Sequence, residues 1–175
     1  MKPGRRWQRV PLPQSGLAVL EFAMMLPVLL VLLFASIDLG RVILIRQIML
    51  NLSREAANLA CRGTAFADVM SAVQTSAAPL NLAQDGYVIL TEIYRSSASV
   101  VTVKSRLTYG GRAGSSHVGA TVGGAAVLPA STPAMPPTGM SLYVAEVFYH
   151  VDPITPLGQF VTLSGNSSYY DVAFF

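Results

Sequence analysis

The sequence is poor in charged residues and in the residues that build metal and redox sites. Only 12% of its 175 residues are charged, against about 25% in an average soluble domain. It has two histidines and one cysteine, so an internal disulfide framework is excluded. No Cys, His or carboxylate spacing resembles a zinc site. We therefore predict neither a metal nor a cofactor.

Candidate catalytic residues are equally scarce. His150 and Asp152 are close in sequence, but Asp152-Pro153 is also a turn signal, and no nucleophile elbow accompanies it. The glycine-rich residues 110–114 lack the lysine of a phosphate-binding loop. We predict no catalytic residue and no enzymatic activity.

The positive charge is concentrated at the N-terminus. The chain has a net charge of +3 and a pI near 9.2, yet residues 1–16 hold four of its 12 basic residues and none of its nine acidic ones. Eight basic residues then face nine acidic ones in residues 17–175. The basic pI is thus no argument for nucleic-acid binding, and we expect no nucleic-acid partner.

Residues 17–37 form a long apolar run that contains one charged residue, Glu21. At about 1.5 Å per residue, a helix of this length crosses the roughly 30 Å hydrocarbon core of a lipid bilayer. A secretory signal has a shorter apolar core of about 7 to 15 residues. We predict one transmembrane helix, a cytoplasmic N-terminus from the basic flank, and a C-terminal domain in the periplasm or outside the cell.

Glu21 needs a positively charged partner, because an unpaired carboxylate in hydrocarbon costs several kcal/mol. Cutting the chain between Gly16 and Leu17 would free an amine close to it. We therefore predict a processing site at Gly16 and Leu17, with residues 1–16 as a basic leader of the prepilin type.

Pro27 lies inside the predicted span, where it removes one backbone hydrogen bond and favours a kink or local loosening. Two interpretations stay open from the residues alone. The bend could serve packing, or the helix could extend locally when it leaves the bilayer for an assembly.

A helical extension is predicted over residues 38–80. Apolar residues such as Met49, Leu52 and Ala56 recur at three- and four-residue intervals, which is typical of an amphipathic helix. Gly63 is a suitable stop, with a second helix expected over residues 67–78. We expect Cys61 to be a small buried helix residue.

The pattern of residues 81–175 predicts a β-rich domain. Alternating apolar residues predict strands, which are expected at residues 87–95, 99–109, 141–151, 159–163 and 168–174. Residues 110–140 are rich in Gly, Ala, Ser, Thr and Pro and predict a long, exposed, flexible loop, either an unconstrained insertion or a partner contact. The expected fold is α+β, a small antiparallel sheet of three to five strands with the extended helix on one face.

The order of motifs in the apolar segment resembles the N-terminal signature of the TadE-like family. The matching motifs are Gly16, Glu21-Phe22-Ala23, Pro27, Asp38-Leu39-Gly40-Arg41 and the alanine-rich Ser53-Arg54-Glu55-Ala56-Ala57. Asp38 stands where a glutamate is more usual, which preserves the charge. Members of this family are minor pseudopilins of the tight-adherence (Flp) pilus, a branch of the type IV pilus and type II secretion systems.

The resemblance implies several partners and residue roles. A prepilin peptidase would cut after Gly16, and the mature helix would wait in the bacterial inner membrane beside an assembly platform. It would then join other pilins and pseudopilins in a helical stack, where Glu21 accepts the charge of a neighbouring N-terminus. Pro27, Asp38, Gly40 and Arg41 would take part in helix packing or bending. The alternative is an uncleaved single-pass anchor whose outer domain is an interaction module of an envelope or secretion complex.

Overall fold

The computed structural model of the protein describes residues 15–97, 100–128, 135–156 and 168–175. Three helices precede a four-stranded antiparallel sheet, which confirms the predicted α+β fold. In chain order the elements are α1 Ser15–Cys61, α2 Phe66–Ser76, α3 Leu82–Asp85, β1 Gly86–Arg95, β2 Val101–Gly110, β3 Ser141–His150 and β4 Ser168–Phe174.

The 47-residue helix α1 is about 70 Å long and has two differently placed halves. Residues 17–37, the bare half, contain no buried residue and continue through Pro27 without interruption. Residues 38–61, the docked half, pack against β3, β4 and α2. The buried apolar residues of the docked half recur every three or four positions, as predicted, at Ile45, Met49, Leu52, Ala56 and Ala60.

Helix α1 ends where the sequence predicted it to end. Gly63 has a φ of +86°, a left-handed conformation that favours glycine, and Thr64 N donates to the Leu59 carbonyl over 3.2 Å. Cys61 is exposed, so its predicted burial is wrong. The buried row ends with Ala60, and the next residue of a helix points about 100° away from it.

The sheet has the strand order β2-β1-β3-β4, and all neighbouring strands are antiparallel. The strand predictions are confirmed for β1, β2, β3 and β4, whereas the strand expected at residues 159–163 lies outside the described residues. One face of the sheet packs on α1 through residues that include Val88, Leu90 and Val147. The sheet is therefore attached to α1 through the docked half.

The opposite face, here called the outer face, is covered by residues 111–128. Val118 is completely buried there and packs with Ile93 and Val144. Backbone hydrogen bonds tie this segment to β2, including Gly123 N to the Val103 carbonyl at 2.7 Å. The prediction of an exposed loop is therefore wrong at Val118. That side chain, the partly buried Ala126 and Leu128, and backbone pairing to β2 hold a segment that is otherwise rich in small residues.

Candidate functional site

Four of the seven predicted site residues lie in the bare half of α1 or directly before it. Gly16, Leu17, Glu21 and Pro27 all lie within α1, and Leu17 and Glu21 are exposed. A Cβ added at Gly16 would meet no atom within 4 Å. Glu21 has no hydrogen-bond partner or ion pair within the described part of the chain. These residues thus face outward, with no other element of the domain against them.

Asp38 and Arg41, by contrast, face the rest of the domain. Both bind the connection that follows β3. The Asp38 carboxylate accepts hydrogen bonds from Thr155 Oγ1, from Ile154 N over 3.3 Å and from Thr155 N over 3.4 Å. Arg41 Nη1 donates to the Asp152 carbonyl over 2.6 Å. We call these contacts the clamp. The sequence marked Asp38 and Arg41 as packing residues, but their partners lie more than 100 positions away.

The clamp lowers the pKa of the Asp38 carboxyl below its usual value of 3.8. The main cause is the hydrogen bond from Thr155, which favours the charged form; the two backbone N–H groups and Arg41 add to the effect against partial desolvation. Gly40, the remaining predicted packing residue, is exposed, and a Cβ there would meet no atom within 4 Å. Within the described residues, Gly40 therefore packs against nothing.

Sequence reasoning missed a hydrogen bond that holds the docked half to β4. Ser53 is fully buried, and its hydroxyl donates to Asp171 Oδ2 on β4. Nearby, the guanidinium of Arg46 lies 5.6 Å from the ring centre of Tyr169, a cation–π distance. The clamp, Ser53 and Arg46 thus join three levels of α1 to β4 or to the connection before it.

A second buried carboxylate anchors the covering segment on the outer face. Glu146 is completely buried and accepts hydrogen bonds from Ser116 Oγ, His117 N over 2.8 Å and Tyr170 Oη over 3.0 Å. Burial and the negative charge of Glu146 raise the pKa of Tyr170, so its phenol stays protonated and donates. Strand alternation placed Glu146 on a mixed face, but nothing local in the sequence indicated that residues 116 and 117 hold it.

His150 and Asp152, which the sequence does not support as a catalytic pair, do lie side by side in the structure. His150 Nε2 lies 3.1 Å from Asp152 Oδ1, and Nδ1 lies 3.4 Å from Ser168 Oγ. His150 and Ser168 are register partners in the antiparallel pair β3–β4, so their contact follows from strand pairing. The Asp152 side chain is 72% exposed, and water therefore weakens its pull on the imidazole. This chain of hydrogen bonds lies on an open surface.

An open groove of about 570 Å³ runs along the outer face, between β1, β2 and the covering segment. Its walls include Tyr87, Arg106 and His117. The Arg106 guanidinium already donates to the Gly119 and Ala120 carbonyls, so it serves to hold the covering segment. In the ranges that the structure describes, no group of three or more His, Cys, Asp or Glu residues could hold a metal ion.

Most of the first helix matches a known protein family. Residues 16–58 match the family model described as TadE-like protein. The N-terminal helix is TadE-like. The resemblance found in the sequence is thereby confirmed for this segment, which is about a quarter of the chain. Neither the curated proteins nor the solved structures contain a match to the chain.

The matched residues include the bare half and nearly all of the docked half. Among the described residues, α1 is the one helix long and apolar enough to cross a membrane, with a mean hydropathy of 2.6 in its most apolar window. The TadE-like segment is therefore compatible with a single-pass membrane anchor. The sheet that it carries lies outside the match.

Proposed function

We propose that the protein is a minor pseudopilin of a tight-adherence pilus system. In this proposal a prepilin peptidase cuts after Gly16, and the new N-terminus begins at Leu17. The helix waits in the inner membrane, with the domain in the periplasm, until it joins other pilins and pseudopilins at the assembly platform. The observation that carries the proposal is the exposure of Glu21 on the bare half, where no described element of the domain contacts it.

Exposed apolar residues also continue along one side of α1 beyond the span, where Arg46 interrupts them. Leu39, Ile43 and Leu50 are exposed and follow one another at four and seven residues, so they lie on one side of the docked half. Glu21 precedes Leu39 by 18 residues, which is five turns at 3.6 residues per turn. The carboxylate therefore shares this side of α1. A lipid bilayer would cover the bare half, but the stripe on the docked half extends beyond the span and suits a second helix.

Charge explains why assembly would follow processing. Residues 1–16 carry four basic residues and no carboxylate, and their removal leaves an amine four residues before Glu21. In a stack of helices, the amine of one subunit can neutralise Glu21 of the next. A buried pair that loses one partner costs about 3–5 kcal/mol, so a subunit in the wrong register would be rejected.

The processing step is tested with glycine variants of the full chain. A Cβ at residue 16 meets no described atom within 4 Å, so a block of cleavage in Gly16→Leu would report recognition by the peptidase rather than misfolding. Gly40→Leu is the matched control, since Gly40 lies in the same helix and is equally open. Intact mass of each membrane-extracted protein, co-expressed with the cognate prepilin peptidase, is the measurement.

We expect wild type and Gly40→Leu to lose residues 1–16 and Gly16→Leu to keep them. An intact N-terminus on the wild-type protein in its own host would remove the proposal. The chain would then be an uncleaved single-pass anchor whose outer domain serves as an interaction module.

A further inference from the structure

A short apolar tip lies at the end of the domain where the bare half of α1 meets it. After β3 the chain buries Val151 and Thr155 but exposes Pro153, Ile154 and Pro156. Ile154 is 66% exposed, one of the most exposed large apolar residues outside the bare half. We call residues 153–156 the apolar tip. Neighbouring apolar side chains that are exposed to water often mark a contact surface.

The clamp fixes the level of this tip relative to the apolar span. Ile154 N donates to Asp38 Oδ1, and Asp38 directly follows residue 37, the last of the span. The 21 residues of the span cover the roughly 30 Å hydrocarbon core, and the headgroup region adds about 5–7 Å on each side. When α1 crosses a bilayer, Ile154 therefore lies at the boundary between the acyl chains and the headgroups.

The backbone of the tip is also suited to this environment. An unsatisfied backbone N–H costs several kcal/mol where water is excluded. Pro153 and Pro156 have no N–H, and the N–H groups of Ile154 and Thr155 both donate to Asp38. The tip thus offers apolar side chains without an unpaired backbone donor. The carboxylate of the preceding residue, Asp152, contacts His150 on β3.

We propose that the apolar tip inserts Ile154 into the lipid interface at the C-terminal end of the span, as a second membrane contact beside α1. The partner is the phospholipid bilayer itself, because the tip continues the apolar surface of the bare half. Together with the clamp, this contact fixes the orientation of the domain on the membrane surface. The proposal rests on the membrane anchoring in the proposed function and is independent of cleavage and pilus assembly.

The lone cysteine makes the test simple. In a Cys61→Ser background of the full chain, single cysteines are placed by Ile154→Cys, Leu30→Cys and Val122→Cys and labelled with an environment-sensitive fluorophore. Leu30 lies in the middle of the span. Val122 is a matched control, 57% exposed and apolar, beside Gly123, which binds Val103. Through the strand registers Val103 is level with Leu142, about 26 Å along β3 from His150.

The proteins are reconstituted in phosphatidylethanolamine–phosphatidylglycerol vesicles with or without spin-labelled lipids. We expect blue-shifted emission and quenching at positions 30 and 154, and water-like, unquenched emission at 122. Quenching at 30 without quenching at 154 would overturn the tip contact while leaving the anchor intact. Equal quenching at 154 and 122 would also overturn it, because the domain would then contact lipid without a preferred surface. No quenching at 30 would refute the anchor, and the tip contact with it.

Discussion

The two halves of α1 have similar helical geometry but different surroundings. The docked half buries a row of residues against the sheet and is held by Asp38, Arg41 and Ser53. The bare half has no buried residue and carries Glu21, which has no ionic or hydrogen-bond partner among the described residues. Local helix propensity cannot produce this difference. It arises because the sheet supplies an apolar face to residues 38–61, whereas no described element packs against residues 17–37.

The largest effect is expected from a substitution at Glu21 in the bare half, which should impair assembly. Glu21→Val should leave cleavage and domain stability unchanged but reduce incorporation into pili by about a hundredfold or more, if about 3–5 kcal/mol of pairing is lost. Incorporation is measured as the fraction of the protein in sheared pili or the assembly complex. Glu55→Gln, which neutralises an exposed carboxylate in the docked half, is the control and should assemble normally. Normal piliation by Glu21→Val would show that the pairing idea is wrong.

The second comparison separates the halves by stability. Leu52 is 1% exposed in the docked half, so Leu52→Ala should lower the free energy of unfolding by about 2–5 kcal/mol. Leu30 is 41% exposed in the bare half, and Leu30→Ala should change it by less than about 0.5 kcal/mol. Denaturant unfolding of the detergent-solubilised full chain, followed by near-UV signals of the domain, measures both. Equal losses would mean that the bare half supports the domain.

A smaller effect is expected in acid, because two carboxylates have lowered pKa values in the fold. Burial opposes ionisation of Glu92, but hydrogen bonds from Lys104, Ser141 and Ser105 bring its pKa below 4.5. The pKa of Asp38 lies below 3.8 for the reasons given above. A lowered folded-state pKa means that the unfolded chain binds protons first as the pH falls. Stability from both groups is therefore present above about pH 5 and lost as the pH falls through the folded-state values.

The Asp38→Asn variant assigns part of this acid sensitivity to the clamp. It removes an acceptor for Thr155 and should cost on the order of 1 kcal/mol near neutral pH. Its stability should then fall less steeply than that of wild type below pH 3.8. Thermal unfolding at a series of pH values is the measurement, with the exposed Asp68→Asn as the control. Parallel curves for wild type and Asp38→Asn would contradict the assignment.

The smallest effect concerns the end of the docked half. Cys61 is exposed, so Cys61→Ser should change the free energy of unfolding by less than about 0.5 kcal/mol. The wild-type thiol should react with a maleimide in the folded protein at a rate near that of an unfolded control. A thiol that reacts only in denaturant would restore the original prediction of burial.

Periodicity was sufficient to predict elements whose side chains repeat regularly. The docked half, its end near Gly63 and the four strands could be predicted because apolar residues recur along each of them, and the bare half because its apolar run is long. Cys61 was misplaced because it lies one residue beyond the last buried position, where a small side chain gives no directional signal. The cover over the outer face was missed because few of its apolar side chains contact the sheet: Val118 is fully buried, and Ala126 and Leu128 are partly buried.

The candidate site was likewise only partly predictable from the sequence. Gly16, Leu17 and Glu21 are adjacent in sequence, so their relation could be inferred locally. The partners of Asp38, Ser53 and Glu146 could not, because each lies on an element about 30 to 120 residues away. Such polar contacts depend on strand register and on the order of strands in the sheet. Neither is encoded in the alternation of a single strand.

Crosslinking from a photoreactive residue at Phe22, the neighbour of Glu21, tests the pairing of Glu21 most directly. The experiment uses protein assembled in its native host. The mass of the crosslinked peptide reports both the partner and the start of its chain. We predict a peptide that begins at the processed N-terminus of a neighbouring pilin-type subunit. Adducts with lipid alone, or with a peptide that retains its leader, would contradict the pairing of Glu21 with a newly freed amine.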